Sequence, residues 1–410
     1  MRVLALCHGL WYGGAQVSTV EFLRLIKDNL SIHVVVCNGA NPDFVRDIEA
    51  LGLDISKVPY RMVSNYPVMD VGAVASLVKE ADVVWITDVE YLVAHKVKRI
   101  KNVPIVAHLH SYALVCPWWG TLYGFREVCI EKCSSWRITR CKQGINLELS
   151  RVGLLSGVRA GLYCLLDFAK GPVDYARWRQ LMRGVLDSID GYVAVSNALW
   201  RIHTSHVPEL AEKPHAIVYN PVTEPLRYIR PTPGEPYGNY ILYASGSNPV
   251  KGPYLLLEAW SEVSKEYRDL KLYMVGCKNS WVEGLAKKKS LKNVVFTEKL
   301  PPNDYYYLMY KAKAVVMSSI WPEPFGRIPV EANRLGVLAV VSDRGGLPEV
   351  VVSGVTGFIA KAGDISDLVN NIQKALSTKS TRDHIAERSL AKINFREPVT
   401  KLVKLFESST

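Results

Sequence analysis

The chain has 410 residues, 49% hydrophobic and 22% charged, with 50 lysines and arginines against 39 acids for a formal net charge of +11. That length exceeds what one hydrophobic core usually supports, so two domains are expected, and no apolar run is long enough to cross a bilayer. The basic balance favours an anionic partner, but the chain has no zinc finger, RNP motif or Lys/Arg block, so no nucleic acid is expected.

The opening "MRVLALCHGL" lacks the long apolar stretch and small-residue cleavage site of a signal peptide and reads as a buried first strand, which predicts a cytoplasmic location. Short β-rich apolar runs then alternate with helix-length amphipathic segments. The first set covers 2–8, 32–37, 82–87, 104–110, 191–196 and 215–220; the second covers 240–246, 271–276, 293–298, 314–319 and 338–343. Runs apolar on both faces predict parallel strands between two helical layers. Between the sets, residues 221–239 are dense in proline and glycine and read as a linker. The expected organisation is an N-terminal domain over 1–222, a C-terminal domain over 238–395, and a last helix over 396–410 packing back on the N-terminal domain. Two such sheets facing across a hinge would form a deep cleft at their carboxyl ends.

One segment breaks the rhythm, from about Cys116 to Asp187. It starts cysteine-rich and continues through "VGLLSGVRAGLYCLLDFAK" and "RWRQLMRGVL", which mix apolar positions with arginines. This insertion either lies on an anionic membrane surface or packs its apolar face on its own domain.

Three glycine-bearing loops follow three strands. Gly13 and Gly14 open the first helix. "WPEPFG" leads into a helix predicted over Arg327–Leu335, with Pro329 tolerated in its first turn, and places Glu323 at the cleft mouth and Glu331 one turn into the helix. Gly345-Gly346 is expected to let backbone approach a phosphate or sugar. Helix starts suit a diphosphate, and the two carboxylates suit polyol hydroxyls.

Cys116, Cys129, Cys133 and Cys141 lie within 26 residues but lack a C-x2-C pair, so a structural zinc site, disulfides and free thiols all stay open. The remaining cysteines, Cys7, Cys37, Cys164 and Cys277, sit in apolar contexts. Nearby aromatics, Tyr112, Trp118, Trp119 and Tyr123, could stack on a sugar acceptor, with core packing as the commoner alternative.

"GGAQ" (13–16), "HLHSY" (108–112), "VSN" (195–197), "NPV" (220–222), "VKGP" (250–253), "EPFGRIPVEA" (323–332) and "GGLPEVV" (345–351) together resemble the retaining glycosyltransferases of family four, glycosyl transferases group 1. The resemblance covers nearly the whole chain and implies an α/β GT-B fold, two Rossmann-like doubly wound domains facing across a cleft. It implies a hexosyltransferase using a nucleotide diphosphate sugar donor and a glycan, lipid-linked or other hydroxyl acceptor, with no catalytic metal. By the same resemblance Glu323 and His110 would be catalytic, with His108 as rival. Gly14, Lys251, Phe325, Gly326, Arg327 and Glu331 would bind the donor, and Tyr112, Trp118 and Trp119 would meet the acceptor. Ser247 stands near the place of an arginine that usually helps Lys251 clamp the diphosphate. Peripheral contact with the cytoplasmic membrane face is a further expectation. A same-fold nucleotide-sugar epimerase or a non-catalytic nucleotide-sugar binding module is the alternative.

Overall fold

Two parallel sheets carry the chain. In the computed structural model, residues 1–409 are described except 64–65, 88–89, 117–120, 125–126, 152, 183, 224, 233–234 and 394–395. The first sheet runs, edge to edge, His215–Ile217, Gly191–Ala194, Ile105–Leu109, Val83–Ile86, Arg2–Cys7, Ser31–Cys37 and Asp54–Val58. The second runs Val294–Thr297, Lys271–Val275, Tyr240–Tyr243, Ala314–Met317, Leu338–Ser342 and Gly357–Ala360. All pairings within both sheets are parallel.

The central strands are buried on both faces because helices cover both sides: every residue of Val83–Ile86 and Ile105–Leu109 is buried. Two edge strands escaped the sequence reading. Asp54–Val58 alternates polar and apolar on a half-exposed edge, and Gly357–Ala360 is short, so neither shows the continuous apolar run that marks an inner strand.

In each sheet the strand order reverses beside the first strand, where it meets the fourth: Arg2–Cys7 beside Val83–Ile86, and Tyr240–Tyr243 beside Ala314–Met317. Loops leaving such paired strands diverge and open a crevice. The last helix, Arg396–Ser409, lies on the N-terminal sheet, where buried Leu402, Leu405 and Phe406 join Val3, Phe22 and Trp85 in one core. A chain end from beyond the second sheet thus closes the first.

The insertion forms two helices packed on each other, Ser135–Arg151 and Gly157–Met182. The second packs Trp178, Leu181 and Met182 at its C-terminal end on the N-terminal core but leaves much of its apolar row uncovered. Val158, Leu162, Tyr163, Leu165, Leu166, Phe168 and Val173 are exposed, Val158 by 86% and Leu165 by 74%. Among the described residues, no helix is long and apolar enough to cross a membrane.

Candidate active site

The loops after the first and fourth strands of the C-terminal sheet are joined edge to edge. The backbone N–H groups of Ile320 and Trp321 donate to the Val250 carbonyl at 2.9 and 3.1 Å, and Ser318 Oγ donates to the Gly252 carbonyl at 2.8 Å. Gly252 permits this. Its φ is +68°, and a Cβ there would fall 1.9 Å from the Ser318 carbonyl oxygen. The joined loops bring together residues 72 apart in sequence: Lys251 Nζ donates to both carboxylate oxygens of Glu323, at 2.6 and 2.8 Å, and lies 4.2 Å from the centre of the Trp321 ring. Glu323 is 5% exposed, so this cation compensates a carboxylate removed from water.

Beyond Glu323 the chain turns at Gly326 into the helix Arg327–Arg334. Glu331, one turn in, accepts from the Tyr305 hydroxyl at 3.0 Å and faces Arg327 Nε at 3.3 Å. Gly345 and Gly346 serve this loop, which corrects the expectation that they admit a ligand. Gly345 pairs with Glu323 as an isolated bridge, and Gly346 N donates to the Glu323 carbonyl at 2.7 Å. At φ +59°, a Cβ on Gly345 would lie 2.2 Å from that carbonyl oxygen. The glycine pair therefore holds the Glu323 backbone.

These groups line a cleft of about 730 Å³ that also takes in Gly14, His110, Ser247, Lys299, Tyr305, Phe325, Gly326 and Arg327. That size suits a ligand well beyond a monosaccharide. The N-terminal domain supplies Gly14, the first residue of the helix Gly14–Ile26, and His110, just past the strand Ile105–Leu109. His110 is 7% exposed, and its Nε2 is buried without a protein partner. Burial, and then the Arg327 charge, lower its pKa to about 3. It therefore works as a neutral hydrogen-bonding group. His108 lies against it, the rings tilted with centres 4.3 Å apart, and is fully buried and outside the cleft lining. Its pKa is lowered by burial and then by His110.

Other expected residues have different surroundings. Arg327 Nη1 donates to Ser18 Oγ at 3.0 Å and to the Pro221 carbonyl at 3.1 Å, so its guanidinium spans the domains. Phe325 is 2% exposed and packs on Tyr219, leaving little more than its backbone to face a ligand. Tyr112 is fully buried; its hydroxyl donates to the Pro322 carbonyl at 2.8 Å and its ring meets Trp321 edge-on. It supports the loop that carries Glu323 from behind and does not line the cleft. Trp118 and Trp119 lie outside the described residues. Sequence reasoning missed Tyr305, Lys299 and Trp321, whose spacings carry no signal. It also missed Glu349, which accepts from Asn197 N at 2.9 Å and Ala198 N at 2.7 Å across the domain boundary, at the start of the helix Asn197–His206.

The cysteines of the insertion share a cavity. Cys116, Cys129, Cys133 and Cys141 line a second cavity of about 300 Å³, and none is in a disulfide. The Cys133 thiol is pushed up to about 12 by burial first and then by the sulfurs of Cys116, Cys129 and Cys141. Burial opposes ionisation of Cys129 too, but hydrogen bonds from His206 and Arg137 outweigh it and lower that thiol. Among the described residues, only His8, Cys37 and Glu90 place three metal-capable atoms within 4.8 Å of one another. There the Glu90 carboxylate already takes the His8 ring and the Met69 N–H, and burial holds the Cys37 thiol protonated, so the trio reads as a buried polar network.

Comparison with known proteins agrees with this architecture. Residues 229–391 match the family model described as glycosyl transferases group 1. Spore coat protein SA of Bacillus subtilis (strain 168) is 28% identical over 218 residues, covering 46% of this chain and 58% of that protein. A lipopolysaccharide 1,2-N-acetylglucosaminetransferase of Salmonella typhimurium is 29% identical over 161 residues, covering 36% and 42%. The matches thus span 58% and 42% of these relatives, less than two thirds of either. Among solved structures, Anabaena HepE in complex with UDP-glucose superposes with a TM-score of 0.65 at 16% identity, covering 100% of both chains. Sucrose-phosphate synthase from Thermosynechococcus elongatus superposes with a TM-score of 0.63 at 14% identity, covering 99% and 98%. Residues 229–391 thus match the glycosyl transferases group 1, and the two facing sheets make the GT-B fold.

Proposed function

We propose that this chain transfers a hexose, with retention of anomeric configuration, from a nucleoside diphosphate sugar to a hydroxyl acceptor on a glycan or lipid-linked carrier. The observation that carries this reading is the convergence of Lys251, Glu323, Glu331 and the start of the helix Arg327–Arg334 on one cleft whose far wall holds Gly14 and His110. A diphosphate would sit between the positive end of that helix and Lys251 Nζ, which would share its charge between Glu323 and the leaving group. Glu331, oriented by Tyr305, suits the ribose hydroxyls, and Glu323 suits those of the sugar. The unpartnered Nε2 of neutral His110 would bond a hydroxyl of the reacting sugar. The acceptor hydroxyl would attack from the face the diphosphate leaves, the diphosphate oxygen taking its proton. Lys251 and the helix amides supply positive charge for departure, so the proposed chemistry needs no metal.

The acceptor's location has its own support. The exposed apolar row of the helix Gly157–Met182 is accompanied by exposed Arg159, Lys170, Arg177 and Arg179, the composition of a surface that lies on anionic lipid. Flotation with phosphatidylglycerol vesicles, compared with phosphatidylcholine, tests this; equal recovery with both would remove it.

The activity is tested by incubating the protein with a panel of nucleotide sugars starting from UDP-glucose, with and without hydroxyl acceptors, and reading nucleotide release and product configuration by NMR. Net epimerisation without transfer would favour the same-fold epimerase. Equal, near-zero turnover in the wild type and Glu323→Ala, with intact donor binding, would favour a non-catalytic module.

A further inference from the structure

Among its described residues, the segment from Cys116 to the helix Ser135–Arg151 has little regular structure of its own. Its hairpin pairs only two residues a side, Leu122–Tyr123 with Glu127–Val128, and a hairpin that small does not persist in water unaided. Leu122 is the one buried residue it contributes to a small apolar cluster with Ile320, Val250 and Leu255 of the C-terminal domain. Small units of this kind are held by disulfides or a metal, and no cysteine here is in a disulfide.

We propose that Cys116, Cys129, Cys133 and Cys141 bind one structural zinc ion as four thiolates. The four residues come from four places: the loop after His110, the end of the hairpin, the turn before the helix Ser135–Arg151, and the second turn of that helix. All four line the same cavity of about 300 Å³. Zinc takes four sulfur ligands at about 2.3 Å in a tetrahedron, and binding would draw the thiols inward from the cavity wall.

The surroundings suit the resulting charge. A Zn(Cys)4 unit carries two net negative charges, and Arg137 Nη2 lies 3.7 Å from Cys129 Sγ. Cys116 Sγ accepts the Thr121 N–H at 3.5 Å, an outer-sphere contact that steadies a metal-bound thiolate. His206 Nδ1 is directed at the Ile202 carbonyl at 2.8 Å, which leaves Nε2 for the cysteine side, where it meets Cys129. The same cavity is walled by Val250, Lys251 and Trp321 of the C-terminal domain. The ion would therefore pin the insertion against the loop that carries Lys251, beside the catalytic cleft.

Metal analysis of the protein as purified without chelator should find about one zinc per chain. After chelation and denaturation, all eight cysteines should titrate as free thiols. Replacing zinc with cobalt should give the strong thiolate-to-cobalt charge-transfer bands of a tetrahedral site, a readout that needs no variant to fold. Cys129→Ser and Cys133→Ser should each lower bound zinc at least about tenfold. Absence of zinc with no cobalt spectrum, stoichiometric iron, or fewer than eight thiols would each overturn the proposal. Retention of zinc by Cys116→Ser together with its loss in His206→Gln would overturn the four-thiolate ligand set. None of these measurements involves a sugar donor, so they stand or fall separately from the proposed transferase activity.

Discussion

Lys251→Ala separates what the cleft needs for stability from what it needs for chemistry. The lysine is the cation that the structure gives to the Glu323 carboxylate, through contacts of 2.6 and 2.8 Å, with the Glu323 side chain 7% and the Lys251 side chain 21% exposed. Removing one partner of a buried pair leaves the other charge uncompensated and typically costs 3–5 kcal/mol; partial exposure of Lys251 puts this site near the low end, about 3 kcal/mol. In a C-terminal domain of roughly 150 residues that corresponds to a fall in Tm of about 6–12 °C. Loss of a preorganised charge on the leaving group should lower kcat by about 10²–10³. Adding Glu323→Gln to a Lys251→Met background removes both charges, so most of the lost Tm should return while activity stays low. Differential scanning fluorimetry with turnover of the best donor reads both quantities. A Tm within about 1 °C of wild type for Lys251→Ala, or rescue of activity by the double neutral variant, would refute the reasoning.

Three further outcomes are expected. Gly345→Ala forces a Cβ to within 2.2 Å of the Glu323 carbonyl at positive φ, so it should destabilise by about 3 kcal/mol and weaken donor binding; an unchanged Tm would show that the glycine does not hold that loop. Ser247→Arg adds a bidentate donor to the cleft wall beside Lys251 and should lower the donor KM by about 3–10-fold, whereas a raised KM would mean that the diphosphate lies elsewhere. Burial holds His110 and His203 neutral, with pKa values of about 3 and about 4, below the unfolded value near 6.5. The unfolded chain thus binds more protons below pH 6.5, and the stability present above that pH is lost as pH falls towards the folded values. At pH 5 the two together should cost about 4 kcal/mol relative to pH 8, read as a shift in urea midpoint; a flat profile over this range would contradict their neutral state.

The layered architecture and the composition of the central loop were legible in short stretches of residues. Apolar runs such as 82–87 and 338–343 can satisfy their backbone and side chains only as inner parallel strands, and that is legible within a short window. The carboxylates Glu323 and Glu331 are fixed relative to each other by one turn and one helix, which is also local. Contacts between partners far apart along the chain were set by the packing alone. Nothing within a window around Lys251 shows that it will face Glu323, since that depends on two loops leaving neighbouring strands of one sheet. The same holds for Tyr305 on Glu331, for Arg327 reaching Ser18, and for Gly345 meeting the Glu323 backbone where a ligand was expected. Tyr112 has the composition of a sugar platform, but the packing of the domains directs its hydroxyl to the Pro322 carbonyl. The hydrophobic pattern of the insertion fits either burial or exposure, because periodicity defines a face without saying what covers it; only the fold shows Val158 and Leu165 facing solvent.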